Sequence, residues 1–171
     1  MNYLYCGGRF HFDYQREDYL RNAEDDFRTA VLENVSRLLH PSDNVLLSAG
    51  LSYVGPFYFE SDGMIDREIV ETEMRQIERC THAFFLLEDA GCPGTVGEMI
   101  HAAELGKNLT VFYIRDTGET ESTLQSSCWY PILLASIICC DGPEIIACED
   151  MEDAKNKILQ KVEILKQKTP L

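Results

Sequence analysis

Apolar and polar residues follow one another along the chain in blocks that predict strands and helices in turn. Short apolar runs, bounded by Gly, Pro or polar residues, predict buried strands. These runs lie at residues 3–6, 45–49, 83–88, 109–114 and 144–148. Segments in which apolar residues recur every three or four positions predict amphipathic helices. These segments span residues 14–39, 64–79, 95–105 and 150–167.

The segment between the last two strands is less clear. Residues 126–140 are apolar and contain Trp129. We predict a short helix after Pro131, although Ile137 to Cys140 is also compatible with a strand.

The order of these elements predicts an α/β protein. Strands that alternate with helices favour a flavodoxin- or Rossmann-like three-layer sandwich, with a five-stranded, mainly parallel sheet covered on both faces. No repeat, low-complexity segment or linker divides the 171 residues, so we expect one domain over residues 1–171. Ligands of such sheets bind outside the carboxyl ends of the strands. The residues that follow each strand are therefore the candidates for a site.

The first strand ends in Gly7, Gly8 and Arg9. Two glycines allow a ligand to approach the backbone closely, but a plain turn would use them equally well. Arg9 is suited to a phosphate or a carboxylate, or it is an ordinary solvated arginine.

An aromatic segment at residues 50–63 follows the second predicted strand. It is bounded by Gly and Pro and is too irregular to predict one strand. Phe57 and Tyr58 could stack on a flat ring. Alternatively, the segment anchors itself in the core or packs against another subunit.

Glu73 lies in line with three isoleucines on the second predicted helix. Ile65, Ile69, Glu73 and Ile77 are spaced by four residues. A carboxylate on an apolar stripe must be paired, hydrogen-bonded or protonated. Functional sites are one place where such residues occur, and an arginine partner or an edge position that reaches water is the other explanation.

Glu98 has a similar position in the predicted helix 95–105. We expect one face of this helix to pack against the sheet, and this face consists of Thr95, Glu98, Ala102 and Leu105. Gly106 is a suitable residue to end the helix. Burial raises the pKa of such a carboxyl, whereas the positive end of the helix lowers it. An ordinary first-turn glutamate that supports its helix would have the same sequence position.

Composition excludes several classes of partner. The formal net charge is −14, and this opposes binding to nucleic acid or to an anionic membrane. No apolar run approaches the roughly 20 residues that span a bilayer, and the N-terminus lacks the layout of a secretory signal. The seven cysteines include no CxxC pair and no metal-binding spacing. We therefore expect a cytoplasmic protein with reduced thiols and no metal.

The motif Gly94-Thr95-x-x-Glu98, followed by an Ala-rich helix, resembles the nucleoside 2-deoxyribosyltransferase family. The family includes the related 2-deoxynucleoside 5-monophosphate N-hydrolases. The likeness extends over residues 3–115. It includes an acidic residue at Glu73 and the first loop at residues 5–9.

Two positions depart from the family pattern. Cys92 stands where the transferases usually carry an Asp and the phosphohydrolases a Ser. Alignment on Cys6 and Gly7 puts Leu4 at the place of a tyrosine that orients the nucleophile, with Tyr3 and Tyr5 on either side.

The resemblance implies transfer of a 2-deoxyribosyl group between nucleobases through a covalent intermediate on Glu98. Glu73 would protonate or orient the base, and Phe57 and Tyr58 would stack on it. The resemblance also implies a substrate-binding set that consists of Gly7, Gly8, Arg9, Phe57, Tyr58, Cys92, Gly94 and Thr95.

The expected partner is a small nucleoside or nucleotide, with no metal or organic cofactor. The family commonly builds its site at a subunit interface, so we expect a homodimer or a higher homo-oligomer. The apolar segment 129–140 is a candidate for that interface. The alternatives are N-hydrolysis of a 2-deoxynucleoside 5-monophosphate, or a non-catalytic nucleotide-binding domain of the same fold.

Overall fold

The computed structural model describes residues 2–8, 27–37, 51–56, 66–88, 92–115, 128–139 and 141–167. Within these ranges the chain forms six strands and five helices. Their order is β1 (Asn2–Gly8), α1 (Phe27–Asn34), β2 (Ser36–Arg37), β3 (Leu51–Gly55), α2 (Asp66–Arg79), β4 (His82–Leu87), α3 (Pro93–Glu104), β5 (Asn108–Ile114), α4 (Trp129–Ile138), β6 (Glu144–Cys148) and α5 (Met151–Gln167).

The strands form one sheet in the order β2-β3-β1-β4-β5-β6, and every neighbouring pair is parallel. This arrangement confirms the predicted α/β class. Five strands have at least five residues, as predicted, and the two-residue strand β2 extends the sheet at one edge. After β1, the strands β2 and β3 are added on one side of β1, and β4, β5 and β6 are then added on its other side. The carboxyl ends of β1 and β4 therefore flank a topological switch point, where ligands of such sheets bind.

Helices cover both faces of the sheet. Helices α2, α3 and α4 pack on one face, and α1 and α5 pack on the other. Tyr5 of β1 points into the first layer, whereas Leu4 and Cys6 point into the second, because successive side chains of a strand alternate between faces. This alternation decides which residues of β1 reach the site.

Helix α3 ends as its sequence predicts. Gly106 has a φ of +65°, the left-handed conformation that glycine adopts without penalty. The backbone N–H of Lys107 donates to the carbonyl of Ala102, and that of Gly106 donates to Ala103. These two hydrogen bonds form a Schellman motif, which satisfies carbonyls at the end of the helix.

Two predictions of local structure are corrected, and a third lies outside the described residues. The predicted helix 14–39 is described only as α1, which ends at Asn34, and β2 follows within the predicted range. Asn and Ser are weak helix formers, which is compatible with an end there. Residues 51–55 of the predicted aromatic loop form β3, and all five are buried. A strand that is buried on both sides shows no polar alternation, so the sequence pattern did not reveal it. The predicted second strand at 45–49 lies outside the described residues.

Helix α4 begins at Trp129, two residues before Pro131, and includes Ile137 and Ile138. Proline is tolerated there because the first N–H groups of a helix have no intrahelical partner. The alternative of a strand at Ile137 and Ile138 is therefore wrong. The other predicted strands and helices agree with the structure to within two residues.

Among the described residues, no helix combines the length and the apolar character that crossing a membrane requires.

Candidate active site

The candidate site lies at the carboxyl end of β1. Gly7 and Gly8 end this strand and pair with Phe85 and Leu86 of β4. Helix α3 follows β4, and the segment Leu51–Pro56 brings β3 alongside β1 on the other side. The site is thus bounded by elements that are distant in sequence and adjacent in the sheet.

Glu98 is the most buried carboxyl group of this site, with 8% of its surface exposed. It lies in the second turn of α3, on the face that packs against the sheet together with Thr95 and Ala102. The hydroxyl of Tyr5, which is fully buried, donates a hydrogen bond of 3.0 Å to Glu98 Oε2. A hydrogen bond to an ionised carboxyl group favours its charged form and fixes its orientation.

The side chain of β1 that contacts Glu98 is therefore Tyr5 and not Leu4, which alignment on Cys6 and Gly7 puts at the place of the family's tyrosine. Leu4 points into the opposite layer, among the residues of α1 and α5. The ring of Tyr5 also contacts Phe85, with 6.0 Å between the ring centroids.

Glu73 of α2 lies near enough to Glu98 and Tyr5 to influence both electrostatically. It is half-buried, and it precedes Ile77, which is fully buried, by one helical turn. Burial raises the pKa of Glu73, and the guanidinium of Arg28 opposes this rise. Glu73 is thus influenced by an arginine, which was the alternative explanation for its position, and it also lies near the second carboxyl group.

The electrostatics of the site favour one proton on the carboxyl pair near neutral pH. Burial, and next the charge of Glu73, raise the pKa of Glu98 to about 8, against the hydrogen bond from Tyr5 and the charge of Arg28. Burial and the two carboxylates raise the pKa of Tyr5 well above its usual value, so Tyr5 stays a donor. Two interacting carboxyl groups that differ in environment can divide the roles of acid and nucleophile.

Arg28 is a site residue that the sequence analysis missed. It lies on α1, and its guanidinium is fully buried. Its Nη1 donates a hydrogen bond of 2.9 Å to the carbonyl of Gly8, and its guanidinium carbon lies 5.0 Å from the centre of the Phe27 ring. A signal was available, because Arg28 lies between Phe27 and Val31 on the apolar stripe of its helix, just as Glu73 lies among isoleucines.

Comparison with known proteins supports the architecture around this site. Neither a protein-family model nor a curated protein sequence matches the chain. Its structure is similar to that of the CMP N-glycosidase BcmB from Clostridium botulinum. The alignment covers 93% of this chain and 98% of that one, with a TM-score of 0.54 and 11% sequence identity. At this identity the similarity establishes a shared fold.

The remaining predicted site residues divide into two groups. Cys92, Gly94 and Thr95 lie at the start of α3, about one turn before Glu98. Cys92 is the N-cap residue, and its side chain makes no capping hydrogen bond. Thr95 is buried, whereas Gly94 is exposed and a side chain there would meet nothing within 4 Å. The other group, Arg9, Phe57 and Tyr58, lies outside the described residues.

The described ranges contain no cluster of three or more His, Cys, Asp or Glu residues that could hold a metal ion. In the described part of the chain, Tyr5 and Arg28 accompany the carboxyl pair. The chemistry that this arrangement supports is nucleophilic and acid–base catalysis by side chains.

Gly7 is expected to be essential, because its backbone approaches the carboxyl group closely. A Cβ at this position would lie 2.8 Å from Glu98 Oε2 and would also overlap the Phe85 ring. We expect Gly7→Ala to displace Glu98 and to lower the free energy of unfolding by about 1–3 kcal/mol, the usual cost of overpacking. Urea denaturation would measure the loss of stability.

Gly97→Ala is the matched control for Gly7→Ala. Gly97 lies on the exposed side of α3, and an added Cβ meets nothing within 4 Å. Alanine in a helix interior is more stable than glycine, so this variant should gain up to about 1 kcal/mol. If Gly7→Ala were as stable and as active as Gly97→Ala, the close approach of β1 to Glu98 would be refuted.

Proposed function

We propose that this protein cleaves the N-glycosidic bond of a nucleoside or a nucleotide, with Glu98 as the nucleophile. The observation that carries the proposal is the hydrogen bond from Tyr5 to Glu98 Oε2 in a buried site that holds a second carboxyl group, Glu73. A purely structural glutamate in a first or second helical turn has no need of a buried tyrosine donor or of a nearby carboxylate.

In the first step of the proposed reaction, an oxygen of ionised Glu98 attacks the anomeric carbon of the sugar. Because Tyr5 holds Oε2, we assign the attack to Oε1. The bond between the anomeric carbon and the base nitrogen breaks, and its electron pair leaves with the base. The single proton of the carboxyl pair lies on Glu73 when Glu98 is ionised; it passes from Glu73 to the departing base, and a glycosyl ester of Glu98 remains.

In the second step, a nitrogen of another base, or a water molecule, attacks the same carbon. The ester bond to Glu98 breaks and the carboxylate is regenerated. The proton of the incoming base or water passes to Glu73, which restores the starting state. The covalent intermediate divides one difficult displacement into two easier ones.

Transfer of a 2-deoxyribosyl group is the form of this reaction that the Gly94-Thr95-x-x-Glu98 motif favours. Hydrolysis of a nucleoside 5-monophosphate is the second candidate, and the fold shared with a CMP N-glycosidase favours it. The two forms differ in the acceptor that attacks the glycosyl ester, a base or water, and in whether the sugar carries a 5-phosphate.

The proposed assembly is a homo-oligomer. Helix α4 exposes Trp129, Tyr130 and Ile137 in the described part of the chain, and Ile137 is 80% exposed. Apolar residues grouped on one side of a helix are typical of surfaces that another protein covers.

Incubation with defined substrates tests the proposal. The protein would be mixed with a 2-deoxynucleoside and a different free base, and separately with deoxyribonucleoside and ribonucleoside 5-monophosphates, and the products separated by chromatography. A new nucleoside supports transfer, and free base with a sugar phosphate supports hydrolysis. Absence of both products over a panel of all common bases would contradict the enzyme proposal and favour a non-catalytic nucleotide-binding domain.

A further inference from the structure

Arg28 reaches the carboxyl pair from the opposite layer of the protein. Helix α1 packs against α5 on one face of the sheet, whereas Glu73 and Glu98 belong to helices on the other face. The guanidinium of Arg28 passes over the end of β1, where the strand finishes in two glycines. A Cβ at Gly8 would lie 3.0 Å from the Phe27 ring and 3.4 Å from Arg28 Nη1, so the absence of a side chain there leaves room chiefly for the ring on which the guanidinium packs.

The burial of Arg28 requires compensation. A fully buried guanidinium is costly unless it is paired and hydrogen-bonded. The carbonyl of Gly8 and the face of the Phe27 ring supply part of this compensation. The carboxyl groups of Glu73 and Glu98 supply another part, because both interact electrostatically with Arg28.

We propose that Arg28 is a positioning residue, whose buried guanidinium fixes the end of β1 beside the carboxyl pair and places a positive charge there that favours the ionised form of Glu98. The charge balance does not depend on which reaction the site performs. The kinetic consequence does rest on the proposed function, because only an ionised Glu98 can act as the nucleophile.

The direction of the effect follows from the groups around Glu98. From β1 it faces the hydroxyl of Tyr5, from α2 the carboxyl of Glu73, and from α1 the charge of Arg28. Tyr53 of β3 acts on Tyr5 rather than directly on Glu98. Arg28 is the full positive charge in this set, and it lowers the pKa of both Glu73 and Glu98. Its removal should therefore raise the pH at which Glu98 ionises.

A titration that does not need activity tests this inference. The protein would be labelled with ¹³C at the glutamate carboxyl carbons, and the Glu98 signal assigned by its loss in Glu98→Gln. In Arg28→Met the midpoint of this signal should move to higher pH. Arg67→Met removes the same charge from an exposed position of α2, where the side chain is 83% exposed, and should leave the midpoint unchanged. An unchanged midpoint in Arg28→Met would overturn the proposal.

Two further variants separate charge from packing. Arg28→Gln keeps a donor for the Gly8 carbonyl but removes the charge. The midpoint pH of the Glu98 signal should therefore rise in this variant as well, even if Arg28→Met does not fold. The double variant Arg28→Met with Glu73→Gln also removes the negative charge that opposes Glu98 ionisation, and its midpoint should return toward that of the unmodified protein.

The kinetic arm applies if base exchange or hydrolysis is observed. Each unit by which the midpoint rises lowers the ionised fraction of Glu98 at neutral pH about tenfold, and kcat/KM should fall by the same factor. At a pH well above the midpoint the loss should largely disappear. Arg28→Lys, which keeps the charge, should retain more activity than Arg28→Gln at neutral pH. A movement of the midpoint in a protein without activity would support the role of Arg28 and reject only the proposed function.

Discussion

Replacing Glu98 with Gln should abolish turnover and, at the same time, make the protein more stable at pH 8. The amide has the size of the carboxyl group and can still accept the hydrogen bond from Tyr5, but it cannot attack the anomeric carbon. Loss of a covalent nucleophile typically lowers kcat by a factor of about a thousand or more. Product release measured by chromatography would show the loss of turnover.

The gain in stability follows from the raised pKa of Glu98. Its pKa is about 8 in the folded protein, against an ordinary value of 4.5. Between these two values the folded state holds a proton that the unfolded state has lost, so the free energy of unfolding decreases as the pH rises. By pH 8 the ionisable carboxyl group costs on the order of 3–5 kcal/mol, which Glu98→Gln avoids. At pH 5 the same substitution should change stability little.

Urea denaturation at pH 5 and pH 8 would measure this difference. Glu104→Gln is the matched control, because Glu104 is an exposed glutamate of the same helix. Its effect on stability should be small at both values of pH. If Glu98→Gln gave the same change at pH 5 as at pH 8, the raised pKa of Glu98 would be refuted.

The sequence identified two residues of the site because each is a carboxylate on a predicted apolar face of a helix. Glu98 was selected because it shares a predicted helix face with Thr95, Ala102 and Leu105. Thr95, Glu98 and Ala102 are buried in the structure, whereas Leu105 follows the last residue of the helix and is exposed. Glu73 was selected because it lies in line with isoleucines, and it does approach the second carboxyl group. Gly106 marked the end of α3 because only glycine adopts its backbone conformation without penalty.

Other parts of the site depend on tertiary contacts that local patterns do not report. Tyr5 and Leu4 are neighbours in a short apolar strand, and their side chains point to opposite faces of the sheet. Only the face on which α3 packs decides which of the two reaches Glu98. Arg28 was assigned to a helix whose apolar stripe was recognised, but its own place on that stripe was not considered. Strand β3 resembled a loop because Ser52 and Gly55 interrupt its apolar residues, although the whole strand is buried.

Two substitutions beside Glu98 should shift the pH dependence of activity in opposite directions. Tyr5→Phe removes the hydrogen bond that lowers the pKa of Glu98, so the pH at which activity appears should rise. Glu73→Gln removes the negative charge that raises this pKa, so activity should appear at lower pH. In each case a movement of one unit changes the rate at a fixed pH below the midpoint about tenfold.

The substrate for this measurement should be an aryl 2-deoxyriboside, whose phenolate leaves without a proton. With such a substrate the loss of Glu73 as an acid does not obscure the ionisation of Glu98, and kcat/KM reports the free protein. Tyr130→Phe removes a hydroxyl group from an exposed position of α4 and should leave the profile unchanged. The carboxyl groups titrate as a coupled pair, so the observed midpoints belong to the pair in the unmodified protein and to Glu98 alone in Glu73→Gln. If both substitutions moved the profile in the same direction, a general loosening of the site would explain the result, and the assigned roles of Tyr5 and Glu73 would be wrong.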